Sequence, residues 1–368
     1  MSKPRVLFSV PTRHHVEIAL DELEGLQELG FACASFDYAA REGVVSKFGR
    51  LKVLIENAFE LVKVARGFKP DVIYFNSRLE KLAGFRDFIT IAICKILYRG
   101  PVKFVIKSHG SDIDVLNESN GFWGKLILPY LRRNVAGWLF LSTEEKQKTI
   151  ETNYFSPNNI FVTKNIVRTN QFKKAADFKA KLNIPEHHSV FLFVGRVIEE
   201  KGIYDVIKAF ATIAAHDTDV TLIVVGDGAS LSGVKDLSKA LKVDNRIYFT
   251  GFIPEQDVVS YYANCDVLVF PTYFPEGFPM ALFNSVAAGM AVVTTPTRAA
   301  TDYLTEYENC IWVEPKNSKS VNAAMLKLLN EPTLANTMRS KNVVKGTEFS
   351  RAVVCSELAT ILNTICKA

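Results

Sequence analysis

Residues Phe274 to Ser285, Phe-Pro-Glu-Gly-Phe-Pro-Met-Ala-Leu-Phe-Asn-Ser, set an acid, a glycine and two prolines directly before a helical pattern. Such a junction can grip an anion. The apolar run Val267 to Phe270 precedes it, so a strand delivers Glu276 to the carboxyl edge of a sheet. A helix opening near Pro279 then aims backbone N–H groups and a positive dipole end at the same place. The chemistry suited to this is recognition of a ligand carrying phosphate and hydroxyls; the alternative is an acidic helix cap that satisfies the dipole. Asn284, about one turn into the helix, adds an amide.

Three further loops follow predicted strands in the same half of the chain. Gly195-Arg196-Val-Ile-Glu-Glu200-Lys201-Gly202 offers two cations before a helix, as a diphosphate needs. In isolation it reads equally well as a surface turn whose charges pair with Glu199 and Glu200. Gly226-Asp-Gly228 is a tight turn that lets a ligand approach the backbone. Thr250-Gly251-Phe252-Ile253-Pro254 can lay its backbone along a nucleobase, and turn chemistry alone would account for it too. In the other half, Lys107-Ser108-His109-Gly110-Ser111-Asp112 ends a strand, where a histidine is more often structural than catalytic. Asp112-Ile-Asp114 spells Asp-x-Asp, a metal-binding tripeptide that is also common by chance.

The elements that position these loops alternate β-rich runs with longer helical patterns, the signature of βαβ units and parallel sheets. The first half has strands at Val6–Val10, Ala32–Phe36, Val72–Phe75, Phe104–Lys107, Trp138–Leu141 and Ile160–Val162, with helical spacing over Ile18–Leu29 and Leu51–Arg66. The second restarts with Val190–Val194, Leu222–Val225, Ile247–Phe249, Val267–Phe270, Ala291–Thr294 and Ile311–Val313. Its helices open near Tyr204, Leu231, Gln256, Met280, Lys319 and Thr333. The polar, lysine-rich stretch Thr169 to Glu186 is the expected connection. The chain is thus read as α/β, two doubly wound sheets facing each other across a cleft that holds the substrates.

A chain of 368 residues with 48% apolar content suits two globular domains. Val6–Val10 follows Met1-Ser-Lys-Pro-Arg without a signal peptide, and no run of about 18 apolar residues occurs, so a cytoplasmic location is expected. Six scattered cysteines with no Cys-x-x-Cys predict reduced thiols, with neither disulfides nor zinc. Residues 1–172 hold 24 Lys+Arg against 18 Asp+Glu (+6), and residues 173–368 hold 20 against 21 (−1). An acidic partner, anionic lipid or a phosphorylated acceptor, is expected at the first half.

The ordered set Val194-Gly-Arg196, Glu200-Lys201-Gly202, Gly226-Asp-Gly228, Gly251 and Glu276-Gly-Phe-Pro-Met-Ala-Leu-Phe-Asn284 resembles the retaining glycosyltransferases of sequence family 4. Ala287-Ala-Gly-Met-Ala-Val-Val-Thr-Thr, Glu308-Asn-Cys-Ile-Trp-Val-Glu-Pro and Leu326-Lys-Leu-Leu-Asn-Glu-Pro fit the same family, so the resemblance covers almost the whole chain. It implies a GT-B fold: Rossmann-like domains over residues 1–170 (acceptor) and 186–349 (nucleotide sugar), with a last helix over about 350–368 packing back on the first domain. Arg196 and Lys201 would hold the donor diphosphate, while Glu276 and His109 would orient the donor sugar. Gly195, Gly226, Gly228, Phe252 and Ile253 would line the donor, with backbone contacts from Gly277, Phe278, Pro279, Met280, Ala281 and Leu282.

Two positions depart from the family. Asn284 stands where a second glutamate usually meets the ribose, and it keeps hydrogen-bonding capacity without the charge. In Pro11-Thr-Arg13-His14-His15-Val-Glu17, His14 and His15 replace two glycines; with Arg13 they read either as acceptor contacts or as solvated loop residues. The resemblance implies transfer of a sugar from a UDP- or GDP-linked donor to a glycan or lipid-linked acceptor in surface-polysaccharide or lipid-linked glycan assembly. Neither a metal nor another cofactor is needed, since the two cations neutralise the leaving group, and no nucleic acid is involved. The alternatives are a non-catalytic sugar-nucleotide-binding protein and an epimerase or phosphorylase on the same architecture. Peripheral membrane contact is expected of Gly121 to Arg133 and Leu79 to Arg99, where large apolar and basic residues mix; core packing explains much of the same pattern.

Overall fold

Each apolar run expected to be a strand is one, and most are buried on both faces, as parallel sheets covered by helices require. The computed structural model describes residues 3–11, 16–38, 43 and 46–367; Arg13, His14 and His15 lie outside them. It divides into one unit of Met1–Ile166 with Arg351–Ala368 and another of Val167–Ser350.

The first unit runs β1 (Arg5–Val10), α1 (Val16–Glu28), β2 (Ala32–Asp37), α2 (Lys47–Phe68), β3 (Val72–Leu79), α3 (Lys81–Leu97), β4 (Lys103–Ser111), α4 (Leu128–Asn134), β5 (Val135–Phe140), α5 (Thr143–Glu151) and β6 (Ile160–Val162). Its sheet order is β2-β1-β3-β4-β5-β6, all parallel. Side-chain caps start the helices where the sequence supplies them: Ser46 accepts from the Gly49 amide, and Ser142 from that of Glu145.

The second unit runs α6 (Phe178–Lys181), β7 (Ser189–Val194), α7 (Ile203–Ala214), β8 (Val220–Val225), α8 (Leu231–Ala240), β9 (Ile247–Gly251), α9 (Glu255–Asn264), β10 (Val267–Phe270), α10 (Met280–Ala287), β11 (Ala291–Thr294), α11 (Ala299–Tyr303), β12 (Ile311–Trp312), α12 (Ser318–Asn330) and α13 (Pro332–Gly346). The order β12-β11-β10-β7-β8-β9 is again all parallel. Chain direction across the sheet reverses between β7 and β10. Loops leaving that pair diverge at the carboxyl edge and open a crevice there, the place where doubly wound sheets bind ligands.

The last helix, α14 (Arg351–Lys367), belongs to the first unit. Val354, Cys355, Leu358, Leu362 and Ile365 join Val6, Phe8 and Tyr74 in one core, and Arg351 reaches Asp21, Glu24 and Glu28 of α1 at 3.0–3.1 Å. Gly25 permits this approach, since a Cβ there would lie 2.4 Å from the Cys355 sulfur.

Two expectations need correction. Residues 169–186 were expected to form the connection, but the division falls at Ile166/Val167 and this stretch packs on the second unit. The rings of Phe172 and Phe178 meet Tyr262 and Tyr261 of α9 at 6.2 and 5.5 Å, and Asn264 accepts from the Ala175 amide. Within 121–133, Trp123, Ile127, Leu128 and Leu131 are core residues; only Phe122 and Leu126 among its large apolar side chains are exposed. Among the described residues no single helix is long and apolar enough to cross a membrane.

Candidate functional site

Backbone hydrogen bonds tie the four expected loops of the second unit into one rim. Gly195 N–H donates to Val225, and Val197 N–H to Asp227, which joins the β7 loop to the β8 loop. Gly226 N–H donates to Gly251, adding the β9 loop. The Glu200 carbonyl accepts from the amides of Tyr273 and Phe274, which fixes the β10 loop against the same turn. Gly226 makes the closest approach, its missing Cβ falling 1.9 Å from the Gly195 carbonyl oxygen, and at Gly202, φ 75°, a Cβ would sit 2.3 Å from the Pro271 carbonyl oxygen. At Gly228 a Cβ would strike the Val197 carbonyl at 2.4 Å. The glycines of these motifs therefore let backbone cross backbone, a stricter requirement than turn geometry alone.

This rim brings Lys201 and Glu276 together, with the Lys201 Nζ in contact with Glu276 Oε1. The lysine is buried and the carboxylate about three-quarters so. The Phe274 ring is close to both cations, with Arg196 Cζ 4.7 Å and Lys201 Nζ 5.0 Å from its centroid. Lys201 is also 5.3 Å from the Phe270 ring. Burial first, and the Arg196 guanidinium second, pull the Lys201 ammonium down to about 7. The Glu276 carboxylate acts in the opposite sense and favours the charged form. The net direction is downward, because an ammonium removed from water beside a second cation loses more than one partly hydrated carboxylate returns. The alternative pairing of this loop's cations with Glu199 and Glu200 is thus not the one Lys201 adopts.

The Glu276 loop is anchored from below. Phe278 is buried, its ring stacked on Phe283 at 3.8 Å and edge-on to Phe349 at 5.7 Å, so its side chain belongs to the core beneath the loop. Leu282 is likewise a core side chain. Pro279 caps α10, and the amides of Met280 and Ala281 open the helix, where no intrahelical acceptor precedes them. Asn284 is buried beside the Tyr262 hydroxyl, a neighbour that sequence spacing does not reveal. Phe252 stands exposed at the end of β9, with Ile253 half-buried beside it.

His109 lies in the first unit, at the carboxyl end of β4. Asn76 donates its amide to the Ser9 carbonyl at 3.1 Å, which leaves its Oδ1 to accept from His109 Nε2 at 2.8 Å. With Asn76 oriented in this way, Nε2 is the donor in that hydrogen bond. Asn76 went unread in the sequence; its position on the preceding strand, 33 residues before the histidine, carries no local signal. Among the described residues, the side chains close enough to share a metal ion are His187, His188 and Asp219, at the opposite, amino edge of the second sheet. Asp112 and Asp114 are not in that group.

Two parallel doubly wound units, the second with a cation pair, a carboxylate and a helix start meeting at one switch point, give the chain the two-domain α/β architecture of the GT-B fold. Residues 174–343 match the family described as glycosyl transferases group 1. The chain is 27% identical over 260 residues to the capsular polysaccharide biosynthesis glycosyltransferase CapM of Staphylococcus aureus, covering 66% of this chain and 67% of that protein. It is 23% identical over 248 residues to the uncharacterized glycosyltransferase MJ1059 of Methanocaldococcus jannaschii, covering 66% of this chain and 59% of that one. Other curated relatives are matched over 32–59% of their own length. Among solved structures, a glycosyltransferase from Rickettsia africae aligns over the full length of both chains at 16% identity and a TM-score of 0.79. Anabaena Alr3699/HepE, solved with UDP and glucose, aligns over 98% of this chain and 99% of that chain at 18% identity and a TM-score of 0.74.

Proposed function

We propose that the chain transfers a hexose, with retention and without a metal, from a UDP- or GDP-linked donor to a hydroxyl of a glycan or lipid-linked acceptor during surface-polysaccharide or lipid-linked glycan assembly. The observation that carries this reading is the convergence of Arg196, Lys201, Glu276 and the start of α10 at the β7/β10 switch point. When the glycosidic C–O bond breaks, its electron pair goes to the diphosphate oxygen. Arg196, Lys201 and the first-turn amides of α10 are suited to stabilise that charge. Glu276 accepts hydrogen bonds from the sugar hydroxyls. The acceptor hydroxyl gives its proton to the departing phosphate as its oxygen bonds the anomeric carbon on the same face, so no side chain serves as nucleophile.

Donor entry in this scheme exchanges one set of partners for another: phosphate replaces Glu276 at Lys201, and sugar hydroxyls replace Lys201 at Glu276. Below about pH 7 the pair therefore keeps the Lys201 ammonium and the Glu276 carboxylate satisfied in the empty site. His109 takes the donor-sugar contact that the family resemblance gives it, and the acceptor, if lipid-borne, draws the protein to an anionic membrane surface on the cytoplasmic side. The naming of CapM for capsular polysaccharide biosynthesis and the UDP and glucose bound to HepE support the process and the donor class.

A thermal-shift series across UDP, GDP and their sugars tests the assignment. A ligand present at about 100 times its Kd adds about 2.7 kcal/mol, or roughly 5–10 °C for a unit of this size. Stabilisation by one base and one sugar is the expected result; no shift with any of them would exclude a nucleotide-sugar site. Affinity should also depend on pH. With the Lys201 ammonium brought down to about 7, donor binding above that pH must take up a proton. The donor Kd is therefore expected to rise by up to about tenfold per unit between about pH 7.5 and 9, with proton uptake visible as buffer-dependent calorimetric heat. A flat profile would mean that Lys201 is charged throughout that range.

A further inference from the structure

One face of α2 is left uncovered. Phe48, Leu51, Ile55 and Phe59 are 88, 42, 36 and 54% exposed, and their spacing of three, four and four residues places them in one row along the helix, about 16 Å long. Isolated exposed apolar residues are ordinary; a continuous row containing two phenylalanines is not. Eighteen positions after Phe48, about five turns on, the same row reaches Arg66. Arg66 lines a cavity of about 770 Å³ together with Lys69, Asp71 and Arg99. Asp71 is engaged, accepting from the Arg5 amide at 2.8 Å, so the cavity presents cations in excess. Along the row, Lys52 and Lys63 lie beside Glu56 and Glu60 at 3.8 and 3.6 Å, long exposed pairs that leave the cations available to other anions.

We infer that the exposed edge of α2 docks the protein on an anionic lipid bilayer, with Phe48, Leu51, Ile55 and Phe59 entering the interface and Arg66, Lys69 and Arg99 meeting lipid phosphates. An apolar row continued by basic groups is the composition that partitions into a bilayer surface, where aromatic rings sit among headgroups and cations find phosphates. The rival patch in the same unit is less suited. Phe85 and Phe122 partly cover each other, with ring centroids 6.4 Å apart, and the neighbouring Lys81 is already paired with Glu118 at 2.7 Å. Because α2 follows β2, its first turns lie at the carboxyl edge of the sheet, the edge that also carries His109. A lipid-borne acceptor would thus be presented to the loops of that edge. This inference rests on the proposed lipid-linked acceptor and goes further by naming the surface.

The test is co-sedimentation of the full chain with vesicles of phosphatidylcholine alone or mixed with phosphatidylglycerol. Wild type is expected to bind the anionic vesicles selectively. F48S/F59S and R66Q/K69Q are each expected to weaken binding about tenfold or more, while F85S/F122S binds as wild type does and all retain the circular dichroism spectrum of wild type. Anionic-vesicle binding that survives F48S/F59S and is lost in F85S/F122S would overturn the α2 assignment and leave the membrane reading standing. No binding to either vesicle would remove both. Self-association abolished by F48S/F59S, without vesicle binding, would assign the face to a second copy of the chain and overturn the inference. A thermal shift with nucleotide sugar in the same preparations reports the donor site independently.

Discussion

Lys201→Ala is expected to lower donor turnover by about 10²–10³-fold while leaving the chain folded. The ammonium is buried between Phe270 and Phe274, so a diphosphate in contact with it would feel its charge through little water, where charge stabilisation is strongest. Developing charge on a leaving diphosphate is greatest in the transition state, so the loss should fall mainly on kcat. Folding should survive because the lysine carries a desolvation cost that its removal relieves, and Glu276 retains enough exposure to stay hydrated. Alanine also turns the carboxylate from a partner of the cation into an uncompensated charge facing the phosphates. Lys201→Arg should recover little, since a planar guanidinium does not fit a space framed by two rings and occupied by a compact ammonium. Nucleoside diphosphate release in the presence of acceptor measures the rate, and circular dichroism checks the fold. A folded alanine variant working within about threefold of wild type would take Lys201 out of the reaction.

The residues of that site could be read from sequence because each follows a short apolar run, and strand ends in a parallel sheet share one edge. Glu276 after Val267–Phe270 and Lys201 after Val190–Val194 must approach the same crevice once the strand order is known. Their contact was not readable: 75 positions separate them, and local spacing offered Glu199 and Glu200 as nearer partners for the lysine. Phe278 was expected to contribute its backbone, and nothing local places its ring, whose burial against Phe283 and Phe349 depends on α10 and a turn some seventy residues later. Helix α11 escaped notice because five residues are too few to show a helical period. Composition also does not tell an exposed apolar face from core, since both use leucine and phenylalanine. Trp123 and Ile127 are covered by the rest of the first unit, whereas Phe48 and Phe59 are not, and only tertiary packing decides that. In α2 apolar residues occupy more than one side, so its period predicts a helix without saying which side stays bare.

The fold itself contains a charge that no motif predicts, and Lys107→Met should reveal its importance. Lys107 in β4 is fully buried; its Nζ donates to Glu22 of α1 at 2.5 Å and to the Lys164 carbonyl at 3.2 Å, tying helix, sheet and the segment after β6 together two residues before His109. Burial pushes the Glu22 carboxyl up, and Lys107 is the main influence holding it down, aided by the Tyr74 hydroxyl. Methionine fills the same channel without the charge and leaves Glu22 ionised in an apolar core, a loss of about 3–5 kcal/mol from a total of about 5–15. The sign of the pH dependence follows from the raised carboxyl. Between the unfolded value and the folded one the native state binds more protons than the unfolded state, so stability falls as pH rises through that window. With Lys107 gone the folded value moves higher still. The variant's deficit should therefore be large at about pH 8 and shrink towards about pH 5, where Glu22 can be buried neutral. Adding Glu22→Leu to Lys107→Met should return most of the lost stability, because an apolar pair of similar volume avoids the desolvation cost altogether. Urea denaturation followed by the fluorescence of Trp123 and Trp138, both in this unit, gives the measurement. A single variant as stable as wild type at about pH 8 would show that water or another group, rather than Lys107, compensates the buried carboxylate.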